Sequence, residues 1–446
     1  MSTTHRTEPL GFRKLLVFFL PLGASASLVM ISHIIINSTL ARSSQPELLV
    51  ASYSVAMSLM SLGERPTTLL RQTCTRLVRD RLSFKAMSTV AVYLFAFLLV
   101  FGLTISYTPL GKMLFLHVFG VKPDHIPDTL KVYRVLMFVS FFSGVRCLYH
   151  GVIIYHLRTK WLTIGMGFRL VGMALVSWYF LATDQVNSGS VGAIIFLTGM
   201  IIECLVSMVE GLHLVRHKLP TKEPGHDIER SGQVFEFYRP LVFSSLIAVV
   251  IGPAINAFLG KSGDMMLAIS SYAIASNLAQ LMQSFFSYIH QIVLNFYRID
   301  RVLVRKFTLA VAFFPGAMIG LMCYTPFGAW FLVHLMGIQA NSELLRGILG
   351  AMHVFMIMNL IFPWLDYCNG LIMLFNQTKY MILSQSCNLA TTLVVLVVLI
   401  FFAPGLNGTI GAWAQSLGCA AELVVVTLAL RGLTRHRLRA PNTLSA

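Results

Sequence analysis

Arg146 and His150 stand four residues apart in an otherwise apolar stretch, so on a helix they project from one face, one turn apart. His33 and Asn37 repeat that spacing near the N-terminus, and Arg169 interrupts a further apolar run. Ionisable groups in such surroundings are costly and usually face a cavity or a partner. A guanidinium fork suits the paired oxygens of a carboxylate or phosphate, so these five residues are candidates for holding a small anionic substrate. The plainer alternative is that Arg146 and Arg169 pair with carboxylates such as Glu203 and Glu210 and only stabilise the fold. His33 and His150 would then be satisfied structural histidines. The anion reading requires these guanidinium and imidazole groups to meet water deep within the bilayer.

A second set is acidic and amidic. Asp366, with Asn369 nearby and Gln280 and Gln283 on an earlier helix, is a candidate site for Na⁺ or a proton as coupling ion. Alternatively Asp366 bonds to backbone or to Lys379. Glu203 and Glu422 are further coupling candidates, though symmetric duplication favours hydrogen bonding between helices. Asn256, Tyr53 and Tyr272, with Asn37, are candidates for the outer rim of a cavity. The seven cysteines show no metal or disulfide spacing, and no cofactor is expected. No phosphate-binding loop points to a self-powered pump, and no Ser/His/Asp arrangement points to an enzyme.

The elements that must carry these groups are membrane helices. The chain has 446 residues, 56% of them apolar and 12% charged, whereas a soluble domain is about a quarter charged. A bilayer core about 30 Å thick needs roughly 20 apolar residues per span. Twelve stretches qualify: 15–40, 46–70, 86–106, 132–157, 161–182, 191–214, 237–260, 265–294, 305–326, 347–375, 380–402 and 408–430. The second and eighth are amphipathic, a pattern that suits a cavity wall better than a lipid-facing surface.

The formal charge of +16 would suggest nucleic acid in a soluble chain. Here its distribution reads as topology. With the N-terminus inside, 25 of the 34 Lys and Arg residues fall on the cytoplasmic side, and 7, including Lys122 and Lys261, fall outside. Both termini are therefore expected in the cytoplasm, with the basic surface against anionic lipid headgroups and no nucleic-acid partner.

The sequence is also duplicated at a constant offset of 219 residues. Residues 18–62 and 237–281 are identical at 14 of 45 positions without a gap. Among the pairs are Pro21/Pro240, Asn37/Asn256 and Tyr53/Tyr272. The register fades around the third helix and returns at Gly151/Gly370, Lys160/Lys379, Gly199/Gly418, Glu203/Glu422, Arg216/Arg435 and His217/His436. Two six-helix lobes, 1–216 and 234–446, are expected, joined by a charged cytoplasmic linker at 217–233. Six helices being an even number, both lobes enter from one side, so a pseudo-twofold axis along the membrane normal would relate them. The second lobe has lost the cation: Leu365 stands opposite Arg146, Asn369 opposite His150 and Asp366 opposite Cys147. Pro21, Pro240, Pro253 and Pro363 are candidate hinges within spans.

Pro21-Leu22-Gly23, Asn37, Ala51-Ser52-Tyr53 and Ser58-Leu59-Met60 resemble the start of the progressive ankylosis protein family. Pro240-Leu241 and Pro253-Ala254-Ile255-Asn256 resemble its seventh helix, and so does the turn Asn407–Ala412 leading to Glu422. That family is similar to the multidrug and toxin extrusion transporters, among the multidrug, oligosaccharidyl-lipid and polysaccharide flippases. The resemblance implies an all-α polytopic membrane protein of twelve transmembrane helices, with two six-helix lobes in a V around a central cavity. It further implies export of anionic metabolites, with citrate, pyrophosphate or nucleotide as the classes. Drug exporters of the wider group carry a coupling Asp near the outer end of the first helix, where this chain has Asn37, so proton coupling through that position is in doubt. A facilitator of the major superfamily is disfavoured because Gly63–Ser83 lacks its Gly/Asp/Arg-rich loop.

The expected function is therefore a secondary active transporter exporting a small organic or phosphate-type anion by alternating access, acting as a monomer. Alternatives are a multidrug cation antiporter, a lipid-linked sugar flippase and a non-transporting membrane scaffold.

Overall fold

The computed structural model describes residues 11–439 except 41, 44–45, 120, 122, 260–261, 263, 335–337 and 339–342. Lys122, Lys261 and the residues before Gly11 or after Arg439 thus lie outside the described residues, and the side chains of Arg435 and His436 are likewise not described.

The described residues hold α-helices and two short 3₁₀ turns, with no strand. In chain order the helices are α1 (Phe12–Leu40), α2 (Pro46–Leu77), α3 (Arg81–Tyr107), α4 (Pro109–His117), α5 (Ile126–Leu136), α6 (Val139–Tyr155), α7 (Lys160–Ala182) and α8 (Ser190–His217). The second half contains α9 (Ser231–Leu259), α10 (Met265–Phe286), α11 (Ile289–Phe296), α12 (Arg301–Tyr324), α13 (Pro326–His334), α14 (Glu343–Leu374), α15 (Lys379–Phe402) and α16 (Gly408–Arg439). Among the described residues, ten spans are by length and composition long and apolar enough to cross a membrane. The remaining two expected spans are α2 and the α10–α11 pair, the two amphipathic ones. The layout is consistent with twelve spans, and the chain is an integral multi-pass membrane protein.

The duplication is visible in the element bounds. α1 and α9 start and stop at repeat-equivalent residues, and the stretch from α10 through α11 matches α2. The halves differ in where a span is interrupted. α2 is continuous, whereas its counterpart breaks at Ser287–Tyr288, where the Ser284 and Ser287 hydroxyls bond back to the carbonyls of Leu281 and Ser284 at 2.7 Å each. Such back-bonding competes with the helical ladder. Conversely α14 is continuous, whereas the fourth span begins at Ile126 and breaks at Met137–Phe138 between α5 and α6.

The short helices α4 and α13 lie beyond the expected spans and start from a local signal. Thr108 and Thr325 each receive a backbone N–H two residues on, at 3.3 Å, with Pro at the first helical position. Pro21 and Pro363 sit inside continuous helices, as do Pro66 and Pro315.

Two compact units are present. One, here the N unit, is Ala24–Val242; the other, the C unit, is Met1–Gly23 with Phe243–Ala446. The chain changes unit after Gly23 in α1 and after Val242 in α9, which are repeat-equivalent points. The N-unit core gathers Ile36, Tyr53, Met173 and Phe196, and the C-unit core gathers Ile255, Tyr272, Phe355 and Val426.

Lipid tails supply no hydrophobic drive between spanning helices, so close packing of small residues matters. A Cβ on Gly151 would stand 2.4 Å from Cys74 Cβ, and one on Gly370 would stand 2.9 Å from Val293 Cβ, its repeat counterpart. The same crossing is built twice.

Asp80 caps α3, accepting the Ser83 N–H at 2.8 Å. Its other oxygen accepts the Glu223 N–H at 3.0 Å, which fastens the α8–α9 linker to the α2–α3 turn. Arg81 adds a bond from its Nε to the Leu219 carbonyl at 3.2 Å, and His226 contacts the Leu77 carbonyl at 2.9 Å.

Candidate functional site

In the N unit, α6, α7 and α8 bring Arg146, Arg169 and Glu203 together. Both Nη1 atoms reach the same carboxylate oxygen, Glu203 Oε2, at 2.8 Å from Arg146 and 2.9 Å from Arg169. α7 approaches α8 across Gly199, where a Cβ would lie 3.0 Å from Arg169 Cγ and 2.6 Å from the Met173 side chain. Arg146 Nη2 donates to Ser143 Oγ at 3.1 Å; Ser143 in turn donates to Glu64, whose carboxylate lies 3.9 Å from Arg146 Nη2. The Arg169 guanidinium lies over the Phe196 ring at 5.0 Å. Arg146 is 8% exposed, Arg169 1% and Glu203 2%.

These facts correct the expectation of water-exposed cations. In this conformation the guanidinium groups meet a carboxylate in the protein interior, the ion-pairing arrangement weighed above. Of the two carboxylates proposed as partners, Glu203 takes both arginines, while Glu210 pairs with Arg158 at 2.5 Å. A buried carboxylate that lost its cations, or the reverse, would be strongly destabilised, so the three residues hold the helices as a unit. The cluster nevertheless leaves Arg146 Nε, Arg169 Nε and Arg169 Nη2 without a hydrogen-bond partner among the described residues.

His150, one turn from Arg146, does not join this cluster through its ring. Its Nε2 lies 2.8 Å from Ser207 Oγ, and Ser207 donates to the Glu203 carbonyl at 2.7 Å, so the imidazole is the donor to Ser207. His33 stacks on Phe196 at 5.8 Å, the ring that also carries Arg169, and is half-buried. Asn37 is exposed.

The C unit repeats the place of Glu203 with different partners. Glu422 on α16 is 2% exposed and accepts the Asn388 amide N–H on Oε2 at 2.7 Å and the Gln385 amide N–H on Oε1, both from α15. Asn388 is the counterpart of Arg169, and Leu365, buried, is that of Arg146. Glu422 makes no ion pair among the described residues. Both duplicated glutamates therefore bridge helices, one through charges and one through amides.

Asp366 makes no hydrogen bond to Gln280 or Gln283 among the described residues. Its Oδ2 accepts the His290 backbone N–H at 2.9 Å and its Oδ1 lies 3.0 Å from His290 Nδ1. The N–H belongs to the first turn of α11, so Asp366 caps from α14 a helix start that Tyr288 leaves without a side-chain cap. Gln280 is exposed and bonds Ser276 at 3.0 Å. Asn369 Oδ1 and Gln283 Nε2 are buried without a partner among the described residues.

Tyr53 and Tyr272, expected at a cavity rim, lie inside their own units at 3% and 5% exposure; Tyr272 donates to Gln415 at 2.8 Å. Asn256 is exposed.

Sequence reasoning passed over Glu64, His290, Gln385 and Asn388. Asn388 and Gln385 carry a signal, since the repeat offset maps them onto Arg169 and Met166 opposite the duplicated glutamate. Glu64 and His290 carry none beyond their place on the polar faces of the second and eighth spans. Among the described residues no three His, Cys, Asp or Glu side chains converge as a metal site.

No family model and no curated protein matches the chain. Solved structures do. The chain is similar to a MOP superfamily transporter from Pyrococcus furiosus whose binding pocket of reverse polarity suggests a different function (TM-score 0.73, 14% identity, 96% of this chain and 97% of that one). It is also similar to an outward-facing multidrug resistance MATE family transporter of the MOP superfamily (TM-score 0.73, 13% identity, 95% and 97%). A third is the eukaryotic MATE transporter AtDTX14 (TM-score 0.71, 14% identity, 94% and 95%). At these identities the likeness establishes the fold, and the fold is that of the MATE transporters over nearly the whole chain.

Proposed function

We propose that the chain is a secondary active transporter that exports a small organic or phosphate-type anion, of the citrate, pyrophosphate or nucleotide class, by alternating access. Both termini would face the cytoplasm, H⁺ or Na⁺ would be the coupling ion, and a monomer would suffice. The duplicated fold and its full-length likeness to MATE transporters support the transport reading. The resemblance to the progressive ankylosis family supports the substrate class.

The observation that carries the anion reading is the pair of arginines in the Arg146–Glu203–Arg169 cluster, which Glu203 neutralises away from water in this conformation and which would meet water only in another state of the transport cycle. Two guanidinium groups converge on one carboxylate oxygen, and three of their N–H-bearing nitrogens remain unspent in the interior. A bound anion would take up these unspent donors and compete with Glu203 for the two Nη1 groups, so docking requires the cluster to open and the carboxylate to release an arginine. The second reading, an exporter of amphipathic cations, is favoured by one feature: the C unit buries Glu422 without an ion-pair partner among the described residues.

Thermal stabilisation of the purified protein by candidate ligands separates the two. Citrate, pyrophosphate or a nucleotide is expected to raise the melting temperature of the wild type, and Arg146→Ala to weaken that ligand about tenfold or more, the effect of roughly 1.4 kcal/mol. Equal anion affinity in the variant and the wild type would remove Arg146 from substrate binding. Stabilisation by organic cations alone would favour the second reading.

A further inference from the structure

Glu203 and Glu422 occupy equivalent places, yet the second has lost both cations that hold the first. Asn388 stands where Arg169 would be and donates one amide N–H to the carboxylate at 2.7 Å; Gln385, one turn away, donates another. α16 packs against α10, α14 and α15. None of the charged side chains on those helices, namely Glu343, Arg346, His353, Asp366 and Lys379, pairs with Glu422, and its titratable neighbour is buried Cys419 on α16 itself. A buried carboxylate without a counter-charge is among the most expensive arrangements a protein can hold, and such a group is neutralised by taking up a cation.

The surroundings select the smallest cation. The groups that face the two carboxylate oxygens are amide N–H donors, whereas a metal ion needs several converging oxygens in their place. Gln385 also keeps its own Oε1 buried without a hydrogen-bond partner among the described residues. Turning that amide about its last bond places Oε1, an acceptor, against Glu422 Oε1. A carboxylic acid O–H then has a partner, whereas a carboxylate needs the amide in its present orientation. Gln385 is only partly buried, which gives the pair a side open to exchange.

We propose that Glu422, Gln385 and Asn388 form a proton-binding site within the C unit, in which Glu422 alternates between carboxylate and carboxylic acid as the Gln385 amide reverses. One proton is bound or released and no other bond changes. The inference rests on the transporter reading only for its use: in that reading, this site is where a proton gradient acts on the C unit.

Infrared difference spectroscopy of the purified, lipid-reconstituted protein during a pH titration tests this without any transport step. The wild type is expected to show a carboxylic-acid carbonyl band that gives way to carboxylate absorption as pH rises, and Glu422→Gln to lose that band. Asn388→Arg, which restores the cation of the N unit, is expected to remove the band while the Glu422 side chain is kept. A wild-type band unchanged in both folded variants, or no such band at any pH, would overturn the site. In liposomes, uptake driven by a proton gradient should fall to background in Glu422→Gln while exchange without a gradient persists. Loss of the band in Glu422→Gln with proton-driven uptake intact would keep the proton site, dismiss its part in coupling and leave the transporter reading standing; the band without transport of any solute would keep the site and dismiss that reading.

Discussion

Glu203 and Glu422 stand at the same point of two repeated units and are held by opposite means: two guanidinium groups converge on Glu203, and two carboxamides donate to Glu422. The consequences of replacing them should therefore differ. Glu203→Ala leaves two buried cations without their shared partner and is expected to cost about 3–5 kcal/mol, seen as a large fall in melting temperature and yield. Glu422→Gln keeps the shape and should change stability by about 1 kcal/mol or less. Equal losses in thermal unfolding would mean that both glutamates play the same structural part.

The N-unit cluster can be separated from its transport role. Replacing Arg146, Glu203 and Arg169 together by Met, Leu and Met removes the charges as a set, which is often neutral or stabilising by about 1–4 kcal/mol. The triple variant is expected to fold, with a melting temperature near that of the wild type, and to lose anion binding by ligand-induced stabilisation. Retained anion binding would assign the cluster to architecture alone.

Gly199 and Gly418 make equivalent crossings with unequal room. A Cβ at Gly199 meets the flexible Met173 side chain at 2.6 Å, whereas at Gly418 it meets Thr392 Oγ1 at 2.3 Å and Asn388 Oδ1 at 2.4 Å. Gly418→Ala should therefore be the costlier change, at about 1–3 kcal/mol, and should disturb the Asn388–Glu422 bond. Thermal denaturation of the two single variants compares them directly.

Leu157 and Asn376 end α6 and α14 at equivalent positions with φ of 60° and 58°. The left-handed region suits Asn and penalises Leu by about 1–2 kcal/mol. Leu157→Asn is expected to raise the melting temperature, and Asn376→Leu to lower it. The reverse order would contradict the strain assigned to Leu157.

Asp80 ties the linker to the α2–α3 turn. Burial alone raises its carboxyl, but the N–H groups of Glu223 and Ser83 and the Ser83 hydroxyl outweigh this and hold it below the ordinary 3.8. A carboxylate depressed on folding contributes stability above its unfolded value that disappears as pH falls through the folded one. The tether should therefore be constant through the neutral range and weaken only in acid below 3.8. Asp80→Ala removes it at every pH, with a loss of about 1 kcal/mol and faster tryptic cleavage at Lys222 and Arg230, both exposed. Unchanged cleavage would mean that Arg81 and His226 hold the linker without Asp80.

The duplication and the twelve apolar stretches made the architecture readable, because span length and repeat register are properties of the chain itself. The interruptions at Ser287–Tyr288 and Met137–Phe138 were not, since local serine back-bonding and packing decide them within otherwise apolar runs. At the site, Arg146, Arg169 and Glu203 were legible as residues, but composition could not choose between a solvated cavity and a shared ion pair. That choice depends on Gly199 letting α7 approach α8. Asp366 was legible as an intramembrane acid, while its partner His290 depends on α11 starting where it does. Asn388 draws no notice in its own helix and matters only as the residue that replaced Arg169.

The central claim is tested most directly by measuring flux in liposomes that contain only the purified protein. Citrate, pyrophosphate and nucleotide would be offered in turn under imposed H⁺, Na⁺ and voltage gradients. At least one of these anions should move against its own gradient, with Arg146→Ala reducing the rate at limiting substrate. Failure of all of them under every gradient, with the protein folded and inserted, would contradict the account.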